Sequence, residues 1–133
     1  MFVDASAIVA ILTDEPGAEE LADALDKAAS PVTSAIAVFE AALGLRRRRH
    51  ASVEEAREDV GEFLRLARIE IVELSGAEAD AALMAFSRYG KGTGHPAQLN
   101  LGDCFAYAVA HIRNIPLLFV GQDFANTDVD AAL

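Results

Sequence analysis

Four carboxylates stand where their neighbours lead one to expect apolar or turn-forming residues. Asp103, within LNLGDCFAYAVAH (Leu99–His111), is the only formally charged residue between Lys91 and Arg113. Glu40, within SAIAVFEAALGL, is the only one between Ser30 and Leu45. Asp4 and Asp123 each follow an apolar run, Phe2–Val3 and Leu117–Val120. An unpaired charge in apolar surroundings is costly and tends to take up a proton. Clustered carboxylates repel one another unless a cation joins them. All-oxygen ligands select hard cations such as Mg²⁺, Mn²⁺ or Ca²⁺. Mg²⁺ held by few carboxylates keeps water and pairs best with phosphate, which makes phosphodiester hydrolysis the natural chemistry.

Each acid also has an ordinary explanation. Asp4 suits a helix N-cap. Glu40 would fit a solvated helix face, but its neighbouring faces are apolar as well. Asp103, in a first helical turn, gains ~0.3–1 kcal/mol from the helix dipole. That gain does not account for the apolar company of Leu99, Leu101, Phe105 and Tyr107. Asp123 suits a turn, and Asp128 close behind it could support or replace it. Taken together, these explanations require four independent accidents at strand ends and helix starts.

The elements that must position these residues alternate between short strands and helices. Met1–Asp4 reads as a strand leading directly into a helix that ends at Leu12. Pro16 suits the first position of a second helix, running to about Ala29. Val32–Ser34 reads as a very short strand and Ala35–His50 as a third helix. Ser52 and Glu55 have capping-box spacing for a fourth helix with one apolar stripe: Val53, Ala56, Val60, Phe63, Leu64 and Ala67. Ile69–Leu74 is a strand by alternation and β-branching. Ser75 and Glu78 open a fifth helix reaching about Tyr89, and Gly90–Pro96 (GKGTGHP) is a loop. Asn100 caps the sixth helix, Leu117–Val120 is an apolar strand, and a turn with an edge strand ends the chain. This order predicts one α/β domain over residues 1–133, three layers deep, with a short, mostly parallel sheet. Sites in such sheets lie beyond the C-terminal strand ends. Asp4 and Asp123 fall there, and so does Asp103 if its helix runs antiparallel to the next strand.

Composition narrows the class further. The chain of 133 residues carries 21 acidic and 11 basic side chains, a formal charge of −10. A nucleic-acid binder is usually basic, so contact with phosphate here would need bound cations or a local basic patch. Arg46, Arg47, Arg48 and Arg49 form such a patch, although cations also suit a helix C-terminus. Lys91 and His95 could touch a substrate from their loop. The stretch around Lys91 lacks the glycine and hydroxyl spacing of a phosphate-binding P-loop. His50, His95 and His111 lack zinc-ligand spacing. The single cysteine, Cys104, excludes an internal disulfide and reads as a small core residue. A reducing, cytoplasmic setting is expected, with no targeting segment and no membrane span.

The ordered set VDAS, FEAALGL, LNLGDCFAYAVA and PLLFVGQDF resembles the PIN-domain ribonucleases, specifically VapC-type toxins of toxin–antitoxin pairs. The resemblance spans the chain. It implies a Mg²⁺- or Mn²⁺-dependent endoribonuclease with an α/β/α fold, acting as a homodimer and blocked by a VapB-type antitoxin. It carries metal-ligand and catalytic roles to Asp4, Glu40 and Asp103, and a fourth to Asp123, with Asp128 as its rival. It also gives Ser6 a supporting role beside Asp4. Two rival readings keep the same acids: a metal-dependent phosphatase or DNA nuclease, and a non-catalytic acidic binding or signalling module. A receiver-type signalling module would pair its Asp with a Lys after a later strand, and no Lys or Arg follows Arg113.

Overall fold

The computed structural model describes residues 1–133. Four strands form one sheet: β1 (Phe2–Val3), β2 (Val32–Ser34), β3 (Glu70–Val72) and β4 (Leu117–Leu118), in the order β3-β2-β1-β4. All pairings are parallel, so the expected mostly parallel sheet is wholly so. Helices α1 (Ala5–Leu12), α2 (Ala18–Asp26), α3 (Ala35–Arg49), α4 (Val53–Leu66), α5 (Gly76–Tyr89) and α6 (Leu101–Arg113) complete the fold.

Side-chain alternation along the strands divides the core in two. Phe2, Val32 and Leu117 enter one cluster with Ala82, Ala85 and Tyr89 of α5 and most of α6. Val3 and Leu118 enter the other, with Ile8 of α1, Leu21 and Leu25 of α2 and Val60 of α4. Successive strand residues point to opposite faces, so even two-residue strands seed both layers. Helix α3 belongs to both clusters: Ala37 packs in the first, and Ala41 and Leu45 in the second. It therefore crosses the sheet edge, and Glu40 sits at the crossing.

Local chemistry sets the boundaries. Ser34, Ser52, Ser75 and Asn100 cap α3, α4, α5 and α6 with their side chains, and reciprocal capping boxes close α5 and α6. His50 and Asn114 end α3 and α6 in the left-handed conformation. The second helix departs from expectation, starting at Ala18 and ending at Asp26. Gly17, at φ 92°, turns the chain into it after Glu15 and Pro16. Strands β3 and β4 are shorter than the stretches expected from the sequence, Ile69–Leu74 and Leu117–Val120. Phe119 and Val120 leave the ladder, and the expected final edge strand is reduced to one bridge, Leu117 to Ala131. A 3₁₀ turn, Phe124–Asn126, precedes it.

Candidate metal centre

Asp4, the residue between β1 and α1, is 5% exposed and caps α1. Its Oδ2 accepts from the Ser6 N–H at 3.0 Å and from the Ser6 hydroxyl at 2.5 Å. Both bonds fall on one oxygen, which leaves the other for a different partner. The Ser6 hydroxyl in turn accepts from the Val120 N–H at 3.0 Å. Ser6 thereby ties the first acid to the chain leaving β4.

Asp103 occupies the third position of α6, where Asn100 and Asp103 cap one another. The Asp103 N–H donates to Asn100 Oδ1 at 2.9 Å, and the Asn100 N–H donates to Asp103 Oδ2 at 3.1 Å. The helix-start explanation and the site explanation are therefore both satisfied, one oxygen serving the cap. Its apolar setting is thinner than the sequence suggested: Leu101 is 66% exposed and Asp103 itself is half-buried. The residues crowding it are acids and glycine. The Glu40 carboxylate lies in the volume that a Cβ on Gly102 would occupy. Glycine beside Asp103 is what admits the third carboxylate.

Asp4, Glu40 and Asp103 line a single pocket of about 360 Å³, together with Ser6, Arg47 and Arg48. Burial pushes the Asp4 carboxyl above its usual range, opposed by its bonds to Ser6 and Ala5 and reinforced by Asp123. Burial also raises Glu40, with repulsion from Asp4 adding to it. Asp103 is pushed up to about 7, first by burial and then by Asp4, Asp123 and Glu40, against the Asn100 N–H. Mutual repulsion runs through all four acids, so Asp123 is electrostatically part of the group although exposed and outside the pocket wall.

The other candidates divide. Asp128 is not at the pocket. It accepts from the Tyr107 hydroxyl at 2.6 Å and faces Arg88 at 3.6 Å, and the tyrosine bond holds its carboxyl below the usual range. It fastens the C-terminal segment to α5 and α6. Arg47 and Arg48 reach the pocket; Arg46 does not, and Arg49 pairs with Asp59 at 3.0 Å and bonds the Leu12 carbonyl. Lys91 is exposed on its loop, away from the acids. Sequence reasoning passed over Gly102, Gly44 and Glu15, all at this site. The signals were there: a glycine directly before Asp103, and residues 44, 47 and 48 on the helical face of Glu40.

No three acidic, histidine or cysteine side chains converge tightly enough to cage an ion unaided. The donor set still fits a divalent cation. It is all carboxylate, self-repelling, and attached to separate elements. Mg²⁺ in particular uses one or two carboxylates and completes its shell with water and substrate phosphate, and so needs no cage. A Gly102→Ala substitution tests this packing. Alanine favours the helix by about 0.5–1 kcal/mol, yet its methyl would displace the Glu40 carboxylate. Activity on the substrate is expected to fall by about 10²-fold, the cost of a misplaced group, with melting temperature held or raised. Thermal melts beside kcat/KM check it.

Residues 1–130 match the PIN domain family. A VapC ribonuclease from Rhizobium meliloti is 42% identical over 96% of this chain and 98% of the relative. Ribonuclease VapC42 from Mycobacterium tuberculosis is 39% identical over 99% and 98%. Among solved structures, Mycobacterium tuberculosis VapC20, described as a sarcin-ricin loop cleaving toxin, superposes with a TM-score of 0.75. It shares 14% identity over 96% of this chain and 95% of its own, a likeness of fold. The three-layer parallel architecture, the acids at one sheet edge and full-length identity near 40% lead to one assignment: the chain belongs to the PIN-domain family, among the VapC ribonucleases.

Proposed function

We propose that the chain is a metal-dependent endoribonuclease, using Mg²⁺ or Mn²⁺, and the toxin of a toxin–antitoxin pair. The observation that carries the reading is the convergence of Asp4, Glu40 and Asp103, from three separate elements, on one pocket at the C-terminal edge of the sheet. VapC names among near-full-length relatives support RNA as the substrate.

Asp4 and Asp103 would hold the cation. Bound there, it supplies positive charge for the phosphate as its transition state builds negative charge. Ser6 and Asn100 keep the two carboxylates oriented through the bonds described above. Glu40, its carboxyl raised above the usual range by burial and by Asp4, orients the attacking water and accepts its proton. The water oxygen bonds to phosphorus in line with the leaving ribose oxygen, whose bond to phosphorus breaks. Asp123 completes the acidic field. Arg47 and Arg48 attract the backbone that this field would otherwise repel.

An antitoxin of VapB type fits two features. Its basic groups would meet a strongly acidic chain. A helix from it would find a groove of about 910 Å³ between α3 and α4, where Phe39 is 66% and Val53 47% exposed. The stripe of α4 divides accordingly: Ala56 is core, Val60 and Leu64 are buried but also form the groove floor, and Val53 stands exposed at its rim. A homodimer in the cytoplasm is part of the same reading. No helix is long and apolar enough to cross a membrane.

The test is cleavage of structured RNA by the purified chain with Mg²⁺, with Mn²⁺ and with chelator. Cleavage that needs the cation and is lost in Asp4→Asn supports the reading. Metal-independent cleavage, or turnover of small phosphate esters in preference to RNA, overturns it.

A further inference from the structure

The pocket is electrically divided along one face of α3. Glu40, Gly44, Arg47 and Arg48 follow one another at helical spacing, and all four line it. The Cα atoms of Arg47 and Arg48 lie about 11 Å along the helix axis from that of Glu40, a spacing that lets their side chains engage a phosphate next to the one at the acids while lining the same pocket. Gly44, between them, lets α3 pack closely on α1 at the pocket wall, since a Cβ there would meet Val9 at 3.0 Å.

A fourth carboxylate lines this pocket at its basic end. Glu15 sits in the turn between α1 and α2, and its Oε1 pairs with Arg48 at 2.8 Å. The Glu15 side chain is 21% exposed and that of Arg48 59%. The Thr13 hydroxyl lies 3.4 Å from the same oxygen but gives its proton to the Val9 carbonyl at 2.8 Å, so Arg48 is the chief partner of Glu15. Arg47 has no ion-pair partner. An acidic pocket thus presents one free arginine and one already satisfied by a carboxylate of its own chain.

We propose that Arg47 and Arg48 grip an RNA backbone phosphate beside the scissile one, and that Glu15 is an internal competitor occupying Arg48 until RNA displaces it. The proposal deepens the ribonuclease reading and rests on it. A carboxylate and a phosphate both suit the guanidinium fork. Glu15 therefore lowers affinity for RNA generally and weights binding toward strands that engage both arginines. It also keeps Arg48 from adding to unselective attraction for polyanions.

The experiment measures binding of a fluorescently labelled single-stranded oligoribonucleotide by anisotropy, with Mg²⁺ present, in an Asp103→Asn background that leaves the probe intact. Glu15→Gln is expected to tighten Kd about two- to fivefold, the range an exposed ion pair is worth. Arg47→Gln and Arg48→Gln should each weaken binding, and removing both should lower the slope of log Kd against log salt by about 0.7, the one phosphate they share on a single strand. The decisive arm adds Glu15→Gln to Arg48→Gln. The tightening should vanish there, because the competitor has nothing left to release. Tightening that persists without Arg48 overturns the proposal, since it would reflect only one fewer negative charge. Unchanged or weaker binding in Glu15→Gln also overturns it, as does RNA affinity indifferent to both arginines, which would assign them to a protein partner. Probe cut in the Asp103→Asn background would count against the catalytic reading instead, and initial anisotropy would still report on Glu15.

Discussion

An Asp103→Asn variant is expected to fold, to melt higher than the parent in chelator, and to cleave RNA at least ~10²-fold more slowly, on the scale of losing one preorganised electrostatic group. The two effects share a cause. Asp103 is pushed up to about 7 by burial and by three neighbouring acids. Its folded form holds a proton more tightly than its unfolded form, whose pKa is near 3.8. The metal-free stability that Asp103 contributes therefore declines as pH rises from about 4 to about 7 and is level above. Solvent screening of a half-exposed group reduces the contribution to about 1–2 kcal/mol. Asparagine removes the charge but keeps an oxygen to accept from the Asn100 N–H, so the α6 cap survives. Melting curves in chelator across this pH range, beside RNA cleavage at saturating metal, check both halves. A folded variant that cleaves like the parent would remove Asp103 from the site.

A divalent-ion titration is expected to raise the melting temperature of the parent, and to do so more strongly at pH 8 than at pH 6. At a concentration 100 times Kd the ion adds about 2.7 kcal/mol to stability, several degrees for a chain of this size. The direction with pH follows from competition between ion and proton for one carboxylate. Below about 7 Asp103 is increasingly protonated, and apparent metal affinity falls by up to about tenfold per pH unit for one displaced proton. The ion also reverses the repulsion among the acids, so its benefit is largest where all are charged. Asp103→Asn should lose most of the shift. A metal response equally large at pH 6 and pH 8, or retained in that variant, would place the ion elsewhere.

Much of this was legible because it rests on local rules. Apolar runs bounded by cap residues located the strands and helices. Ser75 with Glu78 and Asn100 closed their helices through short-range bonds. Asp4, Glu40 and Asp103 stood out because a charge in an apolar stretch conflicts with its neighbours. What failed was decided at longer range. Asp128 and Asp123 are equally plausible as turn acids, and only packing showed that Tyr107 and Arg88 claim Asp128. The run of four arginines looked uniform, yet helical phase sends Arg47 and Arg48 to the pocket and Arg49 to Asp59. Glu15 was unremarkable in a polar turn, and its place at the pocket depends on how α1 packs on α3.

The sequence alone determined the order of elements, the largely parallel sheet and which three acids stand out as candidates, since periodicity, capping and misplaced charge are properties of a residue and its near neighbours. Tertiary structure decided how those acids meet. The crossing of α3 over the sheet edge puts Glu40 opposite Gly102, and the absent side chain of that glycine lets two carboxylates share one space. Their raised pKa values arise from that convergence, because burial and repulsion depend on distance in space and not along the chain.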